Sequence, residues 1–489
     1  MTMTQSKVVL LKVQDIIHTL KPRSSESPFA GKRVHCIGIG GSGMCGLAHM
    51  LLTMGAVVSG TDRTASAVTR KLSEMGVAVG YEEGTAALPA DVELVVYSAA
   101  IKAEHAERVE AERRGLKIFK YAQMLGQVMS LKWGIAIAGT HGKSTTTALT
   151  AHILLSAGRD PSFVVGATCP QLGGSARSGK SELFVAEACE YDRSFHNLRP
   201  KVAVVLNVEE DHLDCYKDIG EIVESFGVFM SQVDPAGVII TNAADANCLQ
   251  AAKRAQARVE TYAIDGTADW QASGVRRYQG KAHFAVTYKG KPMGRLSIGL
   301  PGRHNVGNAL AAAAAATHCG VPWKEIAAAT ETFRGADRRS QLLAEINGCW
   351  VVDDYGHHPT EIRATLLALR DYYRPQRLIC VFQPHQHSRT RFLLEDFARS
   401  FVHADVTIVP DIYFVRDSDA DRKAVNAEML VEKIQGHGRE AMYIPEFKDI
   451  VKHLQETLRS GDLIVSIGAG PVWEVTDELV RRLRASSSH

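Results

Sequence analysis

The chain has 489 residues, of which 45% are hydrophobic and 22% are charged. This composition indicates a globular protein and excludes a disordered or fibrous one, and the length corresponds to about three domains of ordinary size. The 56 basic and 54 acidic side chains leave a net charge of +2, which gives no reason to expect a nucleic-acid partner.

A reducing compartment is indicated by the cysteines and by the lack of sorting signals. The nine cysteines are scattered and form no CxxC pair, so we expect neither a disulfide framework nor a zinc site. The sequence contains no run of 18 apolar residues, and its first residues lack the apolar core and cleavage site of a signal peptide. We therefore expect a cytoplasmic protein without a membrane partner.

Short β-branched runs alternate with longer amphipathic stretches along the first part of the chain. The runs at 33–39, 57–62 and 94–98 are typical of strands, and residues 122–131 are typical of a closing helix. This alternation predicts a parallel sheet with crossover helices. We predict a first α/β domain over residues 1–131, in which residues 1–31 form an N-terminal extension.

Two further series follow. The second has predicted strands at 134–138, 183–187, 202–207 and 237–241, a helix from Lys143, and a long helix from about Asn305 to His318. Between them, residues 275–298 alternate apolar and polar positions around two glycines, which predicts antiparallel hairpins at a sheet edge. The third series has predicted strands at 350–354, 378–382, 405–409 and 462–467. The predicted domains are 132–334 and 335–489.

A first glycine-rich loop lies between a strand and a helix. Gly38, Gly40 and Gly43 form the pattern GxGxxG, and Asp62 ends the next strand about 20 residues further along. This is the dinucleotide-binding pattern in its expected context, where the helix N-terminus and close backbone approach favour a pyrophosphate. The pattern predicts a Rossmann-like domain, but it fits the pyrophosphate of NAD and that of a UDP-sugar equally.

A second glycine-rich loop, residues 139–147, follows the strand at 134–138. It contains Gly142, Lys143 and Ser144, which supply a lysine for the β- and γ-phosphates of a nucleoside triphosphate and a hydroxyl for Mg²⁺. Ile137 stands where the usual pattern has its first glycine, so this is a shortened phosphate loop. The second series therefore predicts an α/β ATPase domain.

Both loops, in this order, resemble the Mur ligases. The resemblance runs from Val34 to the C-terminal helix, and it is carried by HCIGIGGSGM, VYSAAI, GTHGKSTTT, AEACEYDRSF, NVEEDHLD, LPGRHNVGNALAA, GADRRSQ, DDYGHHPTEI and FQPHQHSRT. It implies three domains, for a UDP-substrate, ATP and an amino acid, the last of them again Rossmann-like. It also implies a reaction in which ATP converts a carboxylate into an acyl phosphate that an amine attacks. The motif GIGGSGM favours the branch that adds L-alanine to UDP-N-acetylmuramate.

The resemblance assigns roles to individual residues. Lys143, His212, His357 and Arg389 would be catalytic, with His357 near the new bond and Arg389 on the alanine carboxylate. Ser144, Glu187 and His212 would hold Mg²⁺, although Glu190 and Asp192 lie close to Glu187 in the sequence. The residues expected to bind ATP are Gly139, Thr140, His141, Gly142, Lys143, Ser144, Thr145, His304, Asn305, Arg339 and Asp354. Those expected to bind the UDP-substrate are Gly38, Gly40, Gly41, Ser42, Gly43, Asp62 and Ser98.

Three alternatives stay open at the level of sequence. An NAD-dependent oxidoreductase would use the first loop but leave the second unexplained. A non-catalytic ATP-driven binding protein would leave the later motifs unexplained. A relative of the same fold could instead attach a recycled peptide, or polymerise amino acids. Gln386, His387 and Ser340 depart from the pattern of most family members, which puts local contacts in question.

Overall fold

The computed structural model describes residues 27–81, 88–212, 214–415 and 417–486, without the side chain of Ser42. Most of the predicted extension, residues 1–26, therefore lies outside the described residues, as does the expected contact of the Ser42 hydroxyl. The described chain contains three sheets, each built mainly of parallel strands. The predicted three-domain α/β fold class is confirmed.

The first sheet has five parallel strands in the order β3-β2-β1-β4-β5. Its strands are β1 (Arg33–Ile37), β2 (Val57–Thr61), β3 (Ala78–Gly80), β4 (Leu94–Tyr97) and β5 (Lys117–Lys120). Its helices are α1 (Ser42–Thr53), α2 (Ala67–Glu74), α3 (Ala106–Arg113) and α4 (Tyr121–Ser130). β1 ends earlier than predicted because Gly38 turns the chain with a φ of 77°.

The second sheet has ten strands in the order β15-β14-β13-β12-β11-β10-β6-β9-β7-β8. They are β6 (Trp133–Ala138), β7 (Ser162–Cys169), β8 (Gly174–Arg177), β9 (Leu183–Glu187), β10 (Val202–Val205), β11 (Val238–Asn242), β12 (Arg258–Ile264), β13 (Trp270–Tyr278), β14 (Lys281–Tyr288) and β15 (Lys291–Ile298). The associated helices are α5 (Lys143–Ser156), α6 (Ile219–Ser231), α7 (Ala246–Ala252), α8 (Arg303–His318) and α9 (Trp323–Thr332).

The predicted hairpins form one edge of this sheet. Two-residue turns at Gln279-Gly280 and Lys289-Gly290 join β13 to β14 and β14 to β15. All four turn residues have positive φ, which is the geometry of type I′ turns and matches the twist of the flanking strands. The antiparallel edge is therefore confirmed, and α8 begins at Arg303, two residues before the predicted start.

The third sheet has the order β16-β17-β21-β18-β19-β20, in which only the edge strand β16 is antiparallel to its neighbour. Its strands are β16 (Gln341–Ile346), β17 (Cys349–Asp354), β18 (Arg377–Phe382), β19 (Val406–Val409), β20 (Glu440–Tyr443) and β21 (Asp462–Ile467). Its helices are α10 (Pro359–Tyr373), α11 (His387–Phe392), α12 (Leu394–Ala398), α13 (Asp419–Ala424), α14 (Ala427–Gly436), α15 (Phe447–Thr457) and α16 (Trp473–Ser486).

The described residues divide into two compact units. The first contains those up to Val275 together with Phe284–Ser297 and Gly307–Phe333, and the second contains Arg276–His283, Ile298–Val306 and those from Arg334 onward. Within the first unit, the first two sheets share one hydrophobic core, to which α1 contributes Met44 and Leu47 and β9 contributes Phe184. Gly46 permits this contact, because a Cβ at that position would overlap Ala176.

A buried carboxylate joins several elements of the second sheet. Glu260 is completely buried and accepts hydrogen bonds from Trp270 Nε1 at 2.8 Å, Tyr288 Oη at 2.6 Å and His318 Nε2 at 2.8 Å. Burial alone would raise the pKa of Glu260, but His318 and the two other donors lower it to about 2. The cluster connects three strands to the C-terminal end of α8. Among the described residues, no helix is long and apolar enough to cross a membrane.

Candidate active site

The second glycine-rich loop connects β6 to the N-terminus of α5. Gly139 and Gly142 adopt φ values of 141° and 81°, and Gly142 occupies the cap position of the helix. Such a helix start presents unpaired N–H groups and a positive potential to an anion. Ser144 and Thr145 follow in the first helical turn, where both are buried. The loop therefore has the geometry of a phosphate-binding site.

Asn207, just beyond β10, holds this loop in place. Its Oδ1 accepts from His141 N at 2.7 Å, and its Nδ2 donates to His141 O at 3.1 Å. Its backbone carbonyl also accepts from Thr140 N at 3.1 Å. Sequence reasoning did not single out Asn207, although the residue opens the motif NVEEDHLD. Its position at the end of a strand that pairs with β6 could have indicated a contact with the loop.

The Lys143 ammonium group has three acceptors. Its Nζ donates to Gly139 O at 2.6 Å, to Thr140 O at 3.0 Å and to Glu190 Oε1 at 2.8 Å. Burial alone would lower the pKa of Lys143, but the Glu190 carboxylate, with smaller contributions from Cys189 and Glu187, raises it above its ordinary value. Lys143 is thus a fixed positive charge at the loop.

Three acidic residues, Glu187 at the end of β9 and Glu190 and Asp192 beyond it, have different environments. Glu187 accepts from Gly166 N at 2.7 Å, and a Cβ on Gly166 would lie 2.8 Å from its Oε2. Glu190 is buried and lies 3.8 Å from His212 Nε2 as well as beside Lys143. Asp192 is half exposed and pairs with Lys120. The structure therefore brings Glu190, rather than Glu187, to Lys143 and His212, and the metal role expected of Glu187 stays a prediction.

The first glycine-rich loop is shaped by Asp62. The carboxylate accepts from Gly40 N at 2.7 Å through Oδ2 and from Arg63 N at 2.8 Å through Oδ1. A Cβ on Gly40 would lie 2.8 Å from Oδ2, and one on Gly38 would lie 2.9 Å from Ser98 Oγ. These glycines are needed for close packing. Asp62 thus supports the loop backbone through Oδ2, and its expected contact with the UDP-substrate stays a prediction.

Tyr121, at the start of α4, connects the two loop regions. A Cβ on Gly43 would lie 2.7 Å from Tyr121 Oη. Burial is the main cause that raises the pKa of Tyr121, and the nearby Glu187 carboxylate raises it further. The helix that follows the first loop and the acidic end of β9 therefore share a neighbour inside the first unit.

A second set of predicted residues lies in the second unit, at the carboxyl end of β17. Asp354 Oδ2 accepts from Ser340 N at 2.7 Å and from Ser340 Oγ at 3.1 Å, and Asp354 Oδ1 accepts from Gly356 N at 2.8 Å. Burial raises the pKa of Asp354 to about 6, against the opposing effect of Arg339. Ser340, which departs from the pattern of most family members, thus supplies a hydroxyl that holds the Asp354 carboxylate in place.

The two consecutive arginines before β16, Arg338 and Arg339, differ in their polar contacts. Arg338 donates from Nε to Asp353 Oδ2 at 2.9 Å and from a terminal nitrogen to Gly468 O at 2.7 Å. The guanidinium carbons of Arg338 and Arg339 both lie over the Tyr355 ring, at 5.1 and 4.9 Å from its centroid. Arg338 is a structural residue of the third sheet, and this role was not anticipated from the sequence. The role expected of Arg339, at the triphosphate, stays a prediction.

His357 and Arg389 follow β17 and β18, as the sequence predicts. His357 donates its backbone N–H to Glu361 Oε2 at 2.9 Å, and its ring lies 6.4 Å from that of His385 between centroids. Arg389 lies in the short helix α11. Both residues follow the carboxyl ends of parallel strands in one sheet, the edge at which such sheets usually bind ligands. Their expected roles stay predictions.

The two departures before Arg389 anchor a neighbouring segment. Gln386, with a φ of 71°, donates from its backbone N–H to Tyr413 O at 3.1 Å. His387 N donates to Asp417 Oδ2 at 2.8 Å, and Ser388 Oγ donates to Asp417 Oδ1 at 2.8 Å. The Gln386 side chain also donates from Nε2 to Val415 O at 3.4 Å, and His387 Nδ1 lies 3.3 Å from Asp417 Oδ2, so both departures have local contacts beside α11.

His304 and Asn305 lie in the first turn of α8. The buried side chain of Asn305 donates from Nδ2 to Pro301 O at 2.7 Å, which stabilises the turn that leads into the helix. Gly302 lies against the His304 ring, since a Cβ there would overlap it. The expected contact of both residues with adenine stays a prediction.

Comparisons with known proteins agree with this arrangement. Residues 33–133 match the model described as Mur ligase family, catalytic domain, residues 137–316 match the Mur ligase middle domain, and residues 338–470 match the Mur ligase, glutamate ligase domain. The UDP-N-acetylmuramate–L-alanine ligase of Caldanaerobacter subterraneus is 42% identical over 92% of this chain and 97% of its own length. The chain belongs to the Mur ligase family.

Further relatives have the same name. The UDP-N-acetylmuramate–L-alanine ligase of Geobacter sulfurreducens is 40% identical over 92% of this chain and 98% of its own length. Among solved structures, the UDP-N-acetylmuramate–alanine ligase of Thermotoga maritima has a TM-score of 0.77 at 24% identity and covers 93% of this chain and 99% of its own. That likeness concerns the fold. A murein peptide ligase from Psychrobacter arcticus has a TM-score of 0.66 at 28% identity, with 93% and 99% covered.

Because the chain belongs to the Mur ligase family, it is a ligase. The family predicted from the sequence motifs is confirmed. The oxidoreductase alternative is set aside, because the matches at 137–316 and 338–470 include the phosphate loop and the later motifs that a dehydrogenase would leave unexplained.

Proposed function

We propose that this chain joins L-alanine to the lactyl carboxylate of UDP-N-acetylmuramate, with conversion of ATP to ADP and phosphate, in the synthesis of peptidoglycan precursors. The observation that carries this proposal is the identity of 42% and 40% to ligases of that name over more than nine tenths of both chains. The phosphate loop and the glycine-rich loop of the first sheet supply two nucleotide sites consistent with ATP and a UDP-sugar.

The reaction has two steps. The substrate carboxylate attacks the γ-phosphorus of ATP, which forms an acyl phosphate and releases ADP. The neutral amine of alanine then attacks the acyl carbon, and the tetrahedral intermediate expels phosphate and leaves an amide. The N–H groups at the start of α5 and the Lys143 ammonium would hold the phosphates and stabilise the charge that develops on them.

The residues around the loop fit a magnesium ion. Mg²⁺ prefers oxygen ligands, and the described residues offer the Ser144 hydroxyl and the carboxylates of Glu187 and Glu190 near Lys143 and His212. One carboxylate oxygen, Oε2 of Glu190, is buried and has no hydrogen-bond partner among the described residues, as expected beside a cation site. We propose that Ser144, Glu187 and His212 hold the ion. When bound, it would neutralise charge on the phosphate oxygens.

The remaining sites follow the same assignment. Gly38, Gly40, Gly41, Ser42, Gly43, Asp62 and Ser98 would bind the UDP-substrate. His304 and Asn305 would contact the adenine, Asp354 the ribose and Arg339 the triphosphate. His357 and Arg389 would hold alanine, because the planar guanidinium can donate two parallel hydrogen bonds to a carboxylate.

The proposed domains are 1–131 for the UDP-substrate, 132–334 for ATP and 335–489 for the amino acid. We place the reaction in the cytoplasm, which agrees with nine cysteines that are all free.

The test is phosphate release from ATP in the presence of UDP-N-acetylmuramate and each amino acid in turn. We expect release with L-alanine, and none without an acceptor or with the Lys143→Ala variant. A second candidate function, attachment of a recycled peptide, is favoured by the likeness to the murein peptide ligase. Release with the tripeptide L-alanyl-γ-D-glutamyl-meso-diaminopimelate, but not with alanine, would replace our proposal by that one.

A further inference from the structure

Glu190 lies at the phosphate-loop site, beside Lys143 and His212, and the roles proposed above do not include it. Its side chain is 3% exposed, and its Oε1 accepts from Lys143 Nζ at 2.8 Å and lies 3.8 Å from His212 Nε2. Its Oε2 is buried and unpaired among the described residues. A buried carboxylate with a free oxygen is costly unless a further positive group completes its environment.

The position of Glu190 is fixed by its backbone. Tyr216 Oη donates to Glu190 O at 2.5 Å, and Tyr216 Oη lies 3.2 Å from Ser225 Oγ, which in turn lies 3.0 Å from His196 Nε2. Tyr216 is itself buried. This chain of hydrogen bonds fixes the backbone that carries the carboxylate, so the position of Glu190 does not depend on the lysine alone.

Lys143 cannot keep all its present partners and also bind a nucleotide. An ammonium group has three N–H donors, and here they reach Gly139 O, Thr140 O and Glu190 Oε1. A phosphate must displace at least one of them. An exchange that moves Lys143 away from Glu190 removes the ammonium group that is paired with that carboxylate. A second cation has to arrive, or the exchange leaves a buried charge unpaired.

We propose that Glu190 is a counter-ion exchange residue, which holds Lys143 before the nucleotide binds and then offers its carboxylate to the divalent cation beside His212. This inference rests on the ATP site of the proposed function. Two ligands of one Mg²⁺ ion lie about 3 to 4 Å apart when each is ~2.1 Å from the metal, and Glu190 Oε1 and His212 Nε2 are already 3.8 Å apart. Glu190 thereby makes magnesium and nucleotide binding depend on each other.

The decisive variant is Glu190→Gln, which keeps the size of the side chain and an acceptor for Lys143 but removes the charge. Without magnesium, the variant should bind ADP about 10-fold more tightly than the wild type, because Lys143 is released more easily and a negative charge near the phosphates is gone. Magnesium should strengthen ADP binding in the wild type. The factor by which it does so should be at least about 10-fold smaller in the variant, since a charged ligand of the ion has been lost.

The measurement is isothermal titration calorimetry of the full chain with ADP, once with EDTA and once with MgCl₂. Asp192→Asn is the matched control, because Asp192 is a nearby carboxylate that is half exposed and pairs with Lys120. It should behave as the wild type. A Glu190→Gln variant with an unchanged magnesium effect would overturn the proposal, and so would one that folds normally but loses ADP binding under both conditions.

If Glu190→Gln does not fold, Glu190→Asp decides the question, because it keeps the charge but withdraws it by one methylene group. A weaker magnesium effect than in the wild type supports the exchange, and an equal effect overturns it. Neither titration contains UDP-N-acetylmuramate or alanine. Failure of the ligase assay therefore leaves this test intact, whereas failure of the wild type to bind ADP would refute the proposed ATP site itself.

Discussion

Replacing Asn207 by alanine should loosen the phosphate loop without unfolding the protein. The change removes the two side-chain hydrogen bonds to His141, at 2.7 and 3.1 Å, while the backbone bond from Thr140 N remains. Each lost bond in a partly buried setting contributes about 0.5–1.5 kcal/mol, so the pair contributes about 1–3 kcal/mol. If the loop is disordered until ATP restores it, this free energy is subtracted from binding. Affinity for ATP should fall roughly 5- to 150-fold.

The assay is titration with ADP together with the steady-state dependence of turnover on ATP concentration. Asn242→Ala is the matched control. Asn242 also forms two side-chain hydrogen bonds with backbone groups, to Leu206 O at 3.1 Å and from Ala244 N at 3.0 Å, at the end of the adjacent strand β11. It should lower the thermal stability to a similar degree and leave ATP affinity unchanged. Equal ATP affinities in the two variants would refute the argument that Asn207 pre-organises the loop.

Three further predictions concern single side chains. Lys143→Ala should abolish ligation while calorimetry still detects the UDP-sugar, because the two glycine-rich loops follow strands of different sheets. Near-normal ligation would contradict the phosphate-loop assignment. Arg389→Ala should lower the efficiency with alanine roughly 10- to 150-fold, from the loss of a charge-assisted contact of about 1.5–3 kcal/mol. Kinetics with varied alanine test it, and an unchanged dependence means that another group holds the carboxylate. Because the pKa of Glu260 is lowered from 4.5 to about 2, its stabilising contribution is complete above pH 4.5 and is lost as the pH falls towards 2. In the Glu260→Gln variant, the denaturant concentration at the unfolding midpoint should change less with pH over that range. A pH dependence as steep as that of the wild type would exclude Glu260 as the cause.

The order and type of the main elements could be predicted from the sequence. A parallel strand buried on both faces is a nearly continuous apolar run, which can be recognised without knowledge of its neighbours. The predicted runs at 183–187 and 462–467 coincide with β9 and β21. Strands β3, β5, β7, β8, β12, β16 and β20 were not predicted. Five of these seven are edge strands whose residues are mostly exposed or only partly buried, so their sequences carry a weak pattern: β3, β5, β8, β16 and β20.

The sequence also determined which residue types form the two loops, since glycines, a lysine and a hydroxyl at fixed spacing are a local requirement of phosphate binding. It could not determine which carboxylate at or beyond the end of β9 reaches Lys143. Glu187 and Glu190 are three residues apart, and only the path of the chain towards His212 selects Glu190. Asp62 likewise required the folded loop to show that its oxygens accept backbone N–H groups.

Contacts between distant segments were decided by the tertiary structure alone. Asn207 reaches His141 across 66 positions of the sequence, and Asp417 caps the segment that contains His387 across 30. Neither pairing follows from local propensity or periodicity, because both depend on which strand ends the sheet brings side by side. The sequence specified the chemistry that each segment can perform, whereas the packing of β6 beside β9 and β10 decided which side chains meet to perform it.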